Sequence, residues 1–149
     1  MSDNNLIHVQ LHQQQDYQFQ IQFGEGLPSL TGDEHPPLGQ GLGPTPVQLL
    51  AAAAGNCLSD SLLFALRKFK QAPEPIRCDV AAEVGRNAEG RLRVLGLDVV
   101  LTLGVPADSL QHLDRVLEQF ENFCTVAQSI GQGIPTRVAV QDSTGRKLK

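Results

Sequence analysis

The chain has 149 residues, 41% of them apolar and 5% aromatic, and a formal net charge of −4. That length suffices for a single domain over 1–149 with a real core, and the acidic balance argues against a nucleic-acid partner. No run of about 18 consecutive apolar residues is present and Met1–Ile7 is polar, so neither a membrane span nor a signal peptide is expected, and the cytoplasm is the default compartment.

Charge is unevenly placed. Residues 1–66 carry the acids Asp3, Asp16, Glu25, Asp33, Glu34 and Asp60 and no base; the first Lys or Arg is Arg67. Any cation serving a reactive group must therefore come from beyond that point, or from another chain.

Two short strands open the chain. Residues 6–11 are one candidate. Over 17–23, Tyr17, Phe19, Ile21 and Phe23 alternate with three glutamines, the period of a strand with one face buried. From Gly24 to Pro46 the chain is rich in Gly and Pro and reads as a loop, a flexible cover with a short strand near 27–31. Thr45-Pro46-Val47-Gln48 then supplies an N-cap, a proline at the first helical position and a capping-box glutamine. Helical periodicity runs through Val47, Leu50, Ala54, Leu58, Leu62, Ala65 and Phe69 until Pro73 and Pro75 end it. Between Val47 and Ser59 this helix has no charge, as expected of an element covered on most sides.

Strands are expected at 78–87 and 91–103 around a turn at Asn87–Gly90. In the second, the apolar phase slips between Val94 and Leu95, which predicts a bulge. A helix is expected over about 107–121, a short one from near Cys124 to Gly131, and a last strand around Thr136, Val138 and Val140. The order gives an α+β domain. One small sheet can cover only one side of the long helix, so a homodimer packing two such helices between two sheets is expected.

Three cysteines do not make an extracellular disulfide framework. Cys57 lies among small residues, with Asn56, Ser59 and Asp60 nearby. It is too deep in the helix for the N-terminal dipole to help it, so a cation from elsewhere would have to hold a thiolate there. Cys124 stands at a helix start, where free backbone N–H groups favour a thiolate. Both also fit as small buried hydrophobes. Cys78 begins a strand and reads as structural. His8, His12, His35 and His112 are scattered and no Cys-x-x-Cys occurs, so no metal is expected. Gly39-Gln40-Gly41-Leu42-Gly43 lacks the dinucleotide-binding spacing, so no cofactor is expected. Ser59 and Ser61 lack a neighbouring base.

Pro46-x-x-Leu49-Leu50-x-Ala52-Ala53-x-Gly55-x-Cys57 resembles the first-cysteine motif of the OsmC/Ohr family, and Phe123-Cys124-Thr125-Val126-Ala127 is similar to its second-cysteine segment. The resemblance covers essentially the whole chain. It implies an intertwined α+β homodimer, with long central helices packed against antiparallel sheets and active sites at the dimer interface. It implies a thiol-dependent peroxidase acting on organic hydroperoxides in oxidative stress defence, with Cys57 as peroxidatic thiolate, Cys124 as resolving thiol and an external dithiol of lipoyl type as reductant. The alternative within the family is a non-peroxidase protein that binds a small molecule or senses redox state. The sequence departs from the peroxidase pattern at three points. Val47 stands where Glu is usual, Thr125 stands where Pro is usual, and no N-terminal Arg is present.

Overall fold

A computed structural model describes residues 4–149. Two compact units divide at Leu49/Leu50. The first holds β1 (Gln10–Gln15), β2 (Gln18–Gln22) and β3 (Leu30–Gly32), an antiparallel sheet in that order. The hairpin pairs Gln15 with Gln18, and Asp16 turns the chain at φ 49°. That tight turn sets the register. It moves β1 later than the expected 6–11, and Leu6 and Ile7 stay outside it.

The Gly- and Pro-rich stretch after β3 is pinned, not a flexible cover. Asp33 is buried there and accepts the backbone N–H groups of Glu34, Gln40 and Leu42 at 2.8, 3.2 and 3.1 Å. Those donors, Leu42 foremost, hold its carboxyl below the usual carboxylate range. A Cβ on Gly43 would fall on the Thr31 carbonyl oxygen, so the glycine is needed for close backbone approach. α1 (Pro46–Lys68) follows. At its start Thr45 and Gln48 bond reciprocally: the Gln48 N–H donates to Thr45 Oγ1 at 3.2 Å and the Thr45 N–H to Gln48 Oε1 at 2.8 Å, the expected capping box.

The second unit carries the rest of α1, β4 (Arg77–Arg86), β5 (Leu92–Thr102), α2 (Leu113–Gln119), α3 (Thr125–Ile130) and β6 (Thr136–Gln141). β4 and β5 form a long antiparallel hairpin. Its register shifts where Glu83 faces Gly96 and Val84 faces Val94, leaving Leu95 as the extra residue, so the phase slip is a bulge. β6 runs parallel to β5. The sheet is therefore mixed, where the resemblance implied antiparallel sheets. A parallel return requires a crossover, and the helical segment between Gly104 and Pro135 supplies it.

That crossover differs from the continuous helix expected over 107–121. Ala107–Ser109 is a 3-10 turn, Leu110 is extended (φ −111°, ψ 142°), and His112 is left-handed at φ 60° before α2 begins. Tertiary bonds favour the break. The Gln71 side chain takes the Gln111 N–H at 2.9 Å, and the His112 ring stacks on Phe69 with centroids 4.8 Å apart.

The core gathers Leu58, Leu62 and Leu66 of α1 with Val99 and Leu101 of β5, Leu103, Val116, Leu117 and Phe120 of the crossover, and Val140 of β6. Truncating one such leucine costs about 2–5 kcal/mol. By length and a mean hydropathy of 1.6, α1 also meets the composition of a membrane span. Counting consecutive apolar residues misses this, because Asn56, Ser59, Asp60 and Ser61 interrupt the run. In this fold its leucine stripe is core.

Candidate active site at two thiols

Cys57 lies in the middle of α1 and is half-buried, against the core cluster that includes Cys124. Cys124 sits at the N-cap of α3 and is fully buried. Cys57 lies near enough to Cys124 to bear on its ionisation. The crossover brings them together, since Cys124 ends the 3-10 turn Phe120–Phe123 whose Phe120 is locked in the core. All three cysteines are free thiols.

Three polar groups surround Cys124 Sγ. The Ala127 N–H donates to it at 3.4 Å, and the Ser61 and Cys57 side chains of α1 lie near it. The sequence expectation was that a helix start would favour the thiolate. Burial outweighs it: desolvation, reinforced by Cys57, pushes the Cys124 thiol up to about 11 despite the Ala127 N–H and the Ser61 side chain. α3 has only six residues, so it contributes one well-placed N–H and little dipole. Cys124 is accordingly a neutral thiol at neutral pH.

Cys78 belongs to a different environment. Its sulfur lies 3.1 Å from where a Cβ on Gly55 would be, and Val80 Cγ2 is 2.7 Å from the same point. Gly55 lets β4 approach α1 this closely. Burial pushes the Cys78 thiol up, with the nearby Ser59 side chain opposing it. Ser59 also donates to the Gly55 carbonyl at 2.7 Å, an ordinary back-bond within the helix.

Sequence reasoning singled out both cysteines of the pair. Among the described residues, four cations are committed to carboxylates elsewhere: Arg67 bonds Glu74, Arg137 bonds Asp98, Arg146 bonds Asp108, and Lys149 bonds Glu121. Among the described residues, no three His, Cys, Asp or Glu side chains gather as metal ligands. Cavities of about 510 Å³ beside His8, Gln22 and Ser29, and of about 610 Å³ beside His112, Arg115 and Arg146, lie elsewhere.

The arrangement can do dithiol chemistry: one thiol within reach of a reactant, and a second at its side, shielded from solvent.

No curated protein matches the chain. Solved structures do. An OsmC-like protein of unknown function from Vibrio cholerae matches at 15% identity and a TM-score of 0.77, over 92% of this chain and 99% of that one. An OsmC-like protein from Mycoplasma pneumoniae matches at 12% and 0.76, over 95% and 99%. An organic hydroperoxide resistance protein from Elizabethkingia anophelis matches at 14% and 0.73, over 96% and 100%. Such identities establish a shared fold. The family model for OsmC-like proteins matches residues 39–139, which include α1, both strands of the hairpin and the two cysteines. With this cover and this architecture, the chain belongs to the OsmC-like protein family.

Proposed function

We propose that the chain is a thiol-dependent peroxidase that reduces organic hydroperoxides through Cys57 and Cys124. The observation that carries the reading is the juxtaposition of a half-buried thiol with a fully buried one on a separate element. In the proposed cycle the Cys57 thiolate attacks the outer peroxide oxygen. The O–O bond breaks, the alkoxide leaves and takes a proton, and Cys57 becomes a sulfenic acid. Cys124 sulfur then attacks the Cys57 sulfur, the S–O bond breaks and water departs. Two electrons have passed from the thiols to the peroxide, leaving a disulfide. An external dithiol returns them by exchange.

The proposed working form is a homodimer in one domain-sized fold over 1–149. Its support is α1, where Ala52, Ala53, Asn56, Asp60 and Phe64 form an exposed stripe, Phe64 being 68% accessible. A large exposed aromatic beside small residues on a helix face marks an interaction surface. Sedimentation of the intact protein tests it, with Phe64→Glu expected to give monomers. A reducing cytoplasm is the compartment in which such thiols stay free.

The second reading is a small-molecule binder or redox sensor without turnover. It is favoured by Val47 and by the lack of any base before Arg67. One experiment separates the readings. Stoichiometric cumene hydroperoxide is added without reductant, the products are read by mass spectrometry, and turnover with dihydrolipoamide follows. A rapid Cys57–Cys124 disulfide with sustained turnover supports the peroxidase. A disulfide without turnover supports the sensor. Slow over-oxidation with no disulfide overturns both redox readings.

A further inference from the structure

The segment that carries Cys124 is lightly anchored. Among the described residues 121–139, Cys124 alone is fully buried, and α3 buries none of its six residues. Segments with so few buried groups open locally, at less cost than global unfolding. A second element holds this one down. After β6, Asp142 accepts the Thr144 and Arg146 N–H groups at 2.9 and 3.0 Å and turns the chain, so that Lys147 pairs back on Gln141 and Lys149 on Val140. Leu148 packs against the core. This return sets the Lys149 side chain on the crossover just ahead of Cys124. Its Nζ donates to the Leu117 carbonyl at 2.8 Å, pairs with the Glu121 carboxylate and lies 5.2 Å from the centre of the Phe120 ring. The Glu121 carbonyl in turn accepts the Cys124 N–H at 3.1 Å. Of the four ion pairs among the described residues this is the least exposed, its side chains being 33% and 29% accessible. The others are surface pairs, whose net effect is small. Ordering a lysine costs side-chain entropy, and three contacts from one ammonium group offset it.

We propose that Lys149 is a positioning residue for the second thiol: it latches the crossover at Leu117, Phe120 and Glu121, and so keeps Cys124 shielded from solvent and presented to Cys57. The proposal rests on the redox reading of the pair and adds to it the contact that keeps the second thiol in place while the first reacts. Lys149 acts indirectly. Glu121 passes the restraint to Cys124 through its backbone, and Phe120 seats the preceding turn in the core. In the step that the latch serves, Cys124 sulfur attacks the sulfur of Cys57 sulfenic acid. The S–S bond forms, the S–O bond breaks, and the departing hydroxide takes the Cys124 proton, so water leaves. Small misplacements of reacting atoms cost rate even when they originate far from the chemistry. Lys149 is neither consumed nor oxidised.

The test measures how often Cys124 becomes exposed. In a Cys57→Ala background the native protein is alkylated, and labelling at Cys124 is read by peptide mass spectrometry. Hydrogen exchange in the core strand β5 reports global unfolding in the same samples. Lys149→Met keeps an aliphatic stem and loses the charge and its donors. It is expected to label at Cys124 about tenfold faster than the parent, the effect of losing one charge-assisted hydrogen bond, with β5 exchange unchanged. Lys149→Arg keeps the cation and should label at the parental rate. Glu121→Gln removes the pair from the other side and should move Cys124 in the same direction as the Met variant. With Cys57 restored, one equivalent of cumene hydroperoxide should form sulfenic acid at the parental rate in Lys149→Met, followed by slower closure of the disulfide. Equal labelling in parent and Met variant, a parallel rise in β5 exchange, no rescue by Arg, or unchanged closure each overturn the proposal. If the parent itself forms no disulfide with peroxide, the peroxidase reading fails, while the labelling still decides whether Lys149 latches the crossover.

Discussion

α1 presents a serine to a cysteine twice, with opposite results. Ser59 lies beside Cys78 and Ser61 beside Cys124, two residues apart on one helix. Both sulfurs are raised by burial. Around Cys78 the serine is already committed to the helix backbone and the space is closed by Gly55, whose missing side chain lets β4 pack tightly. Around Cys124 the Ala127 N–H donates to the sulfur at 3.4 Å and a second thiol packs alongside. A buried thiol is inert by default; what separates the two is a partner thiol able to accept or deliver electrons.

The comparison can be broken most severely by exchanging the cysteines one at a time. Cys57→Ser is expected to reduce hydroperoxide consumption to background, while Cys78→Ser leaves it unchanged, measured as peroxide loss with a dithiol reductant. Equal losses in both variants would place Cys78 in the chemistry. Next in size is the core the two sites share. Leu62→Ala should lower stability by about 2–5 kcal/mol in a denaturant titration, because its cavity lies under both. Gly55→Ala acts on the Cys78 side. The added methyl meets Val80 at 2.7 Å and Cys78 sulfur at 3.1 Å, so a loss of about 1–3 kcal/mol is expected, with the Cys57–Cys124 disulfide still formed by oxidant.

The smallest effect is on alkaline stability. Cys124 titrates at about 11 in the fold, above the ordinary thiol value. The unfolded chain therefore releases this proton first. Stability from the neutral buried thiol is complete below the unfolded-state value and declines as pH rises through the folded one. Melting temperatures between about pH 8 and pH 11 should fall less steeply in Cys124→Ala than in the parent. The acid limb works in reverse at Asp142. There Thr144 and the Ala107 N–H hold the carboxyl at about 2. Its contribution is present above the unfolded-state value and disappears as pH falls toward about 2, so Asp142→Asn should flatten melting temperatures over that range.

Local chemistry explains what the sequence disclosed. The capping box at Thr45 and Gln48 and the bulge at Leu95 are written in adjacent residues, and each is found at the expected position. Three features depended on contacts that the local pattern does not disclose. Leu110, Leu113, Leu117 and Phe120 have helical spacing, yet Gln71 and Phe69 hold the segment before α2 in another conformation. Asp33 looks like a solvated loop acid until its three backbone donors are in place. The direction of β6 is not encoded in its own alternation. At the site, residue type marked Cys57 and Cys124, while their proximity emerges only when the crossover folds onto α1.

The parallel placement of β6 has a consequence for the order of assembly. Cys57 lies on an early helix, and Cys124 lies on the segment that must cross over before β6 can pair with β5. Contacts that span so much chain form late, because loop closure must precede any gain from packing. A growing or refolding chain thus carries Cys57 without its partner, and Cys124 unshielded, until the crossover docks. Pulsed alkylation during refolding should label Cys124 until β6 pairs, and protection of Cys124 before that pairing would contradict this order. The newly made protein would be at its most vulnerable to oxidants before it could do anything about them.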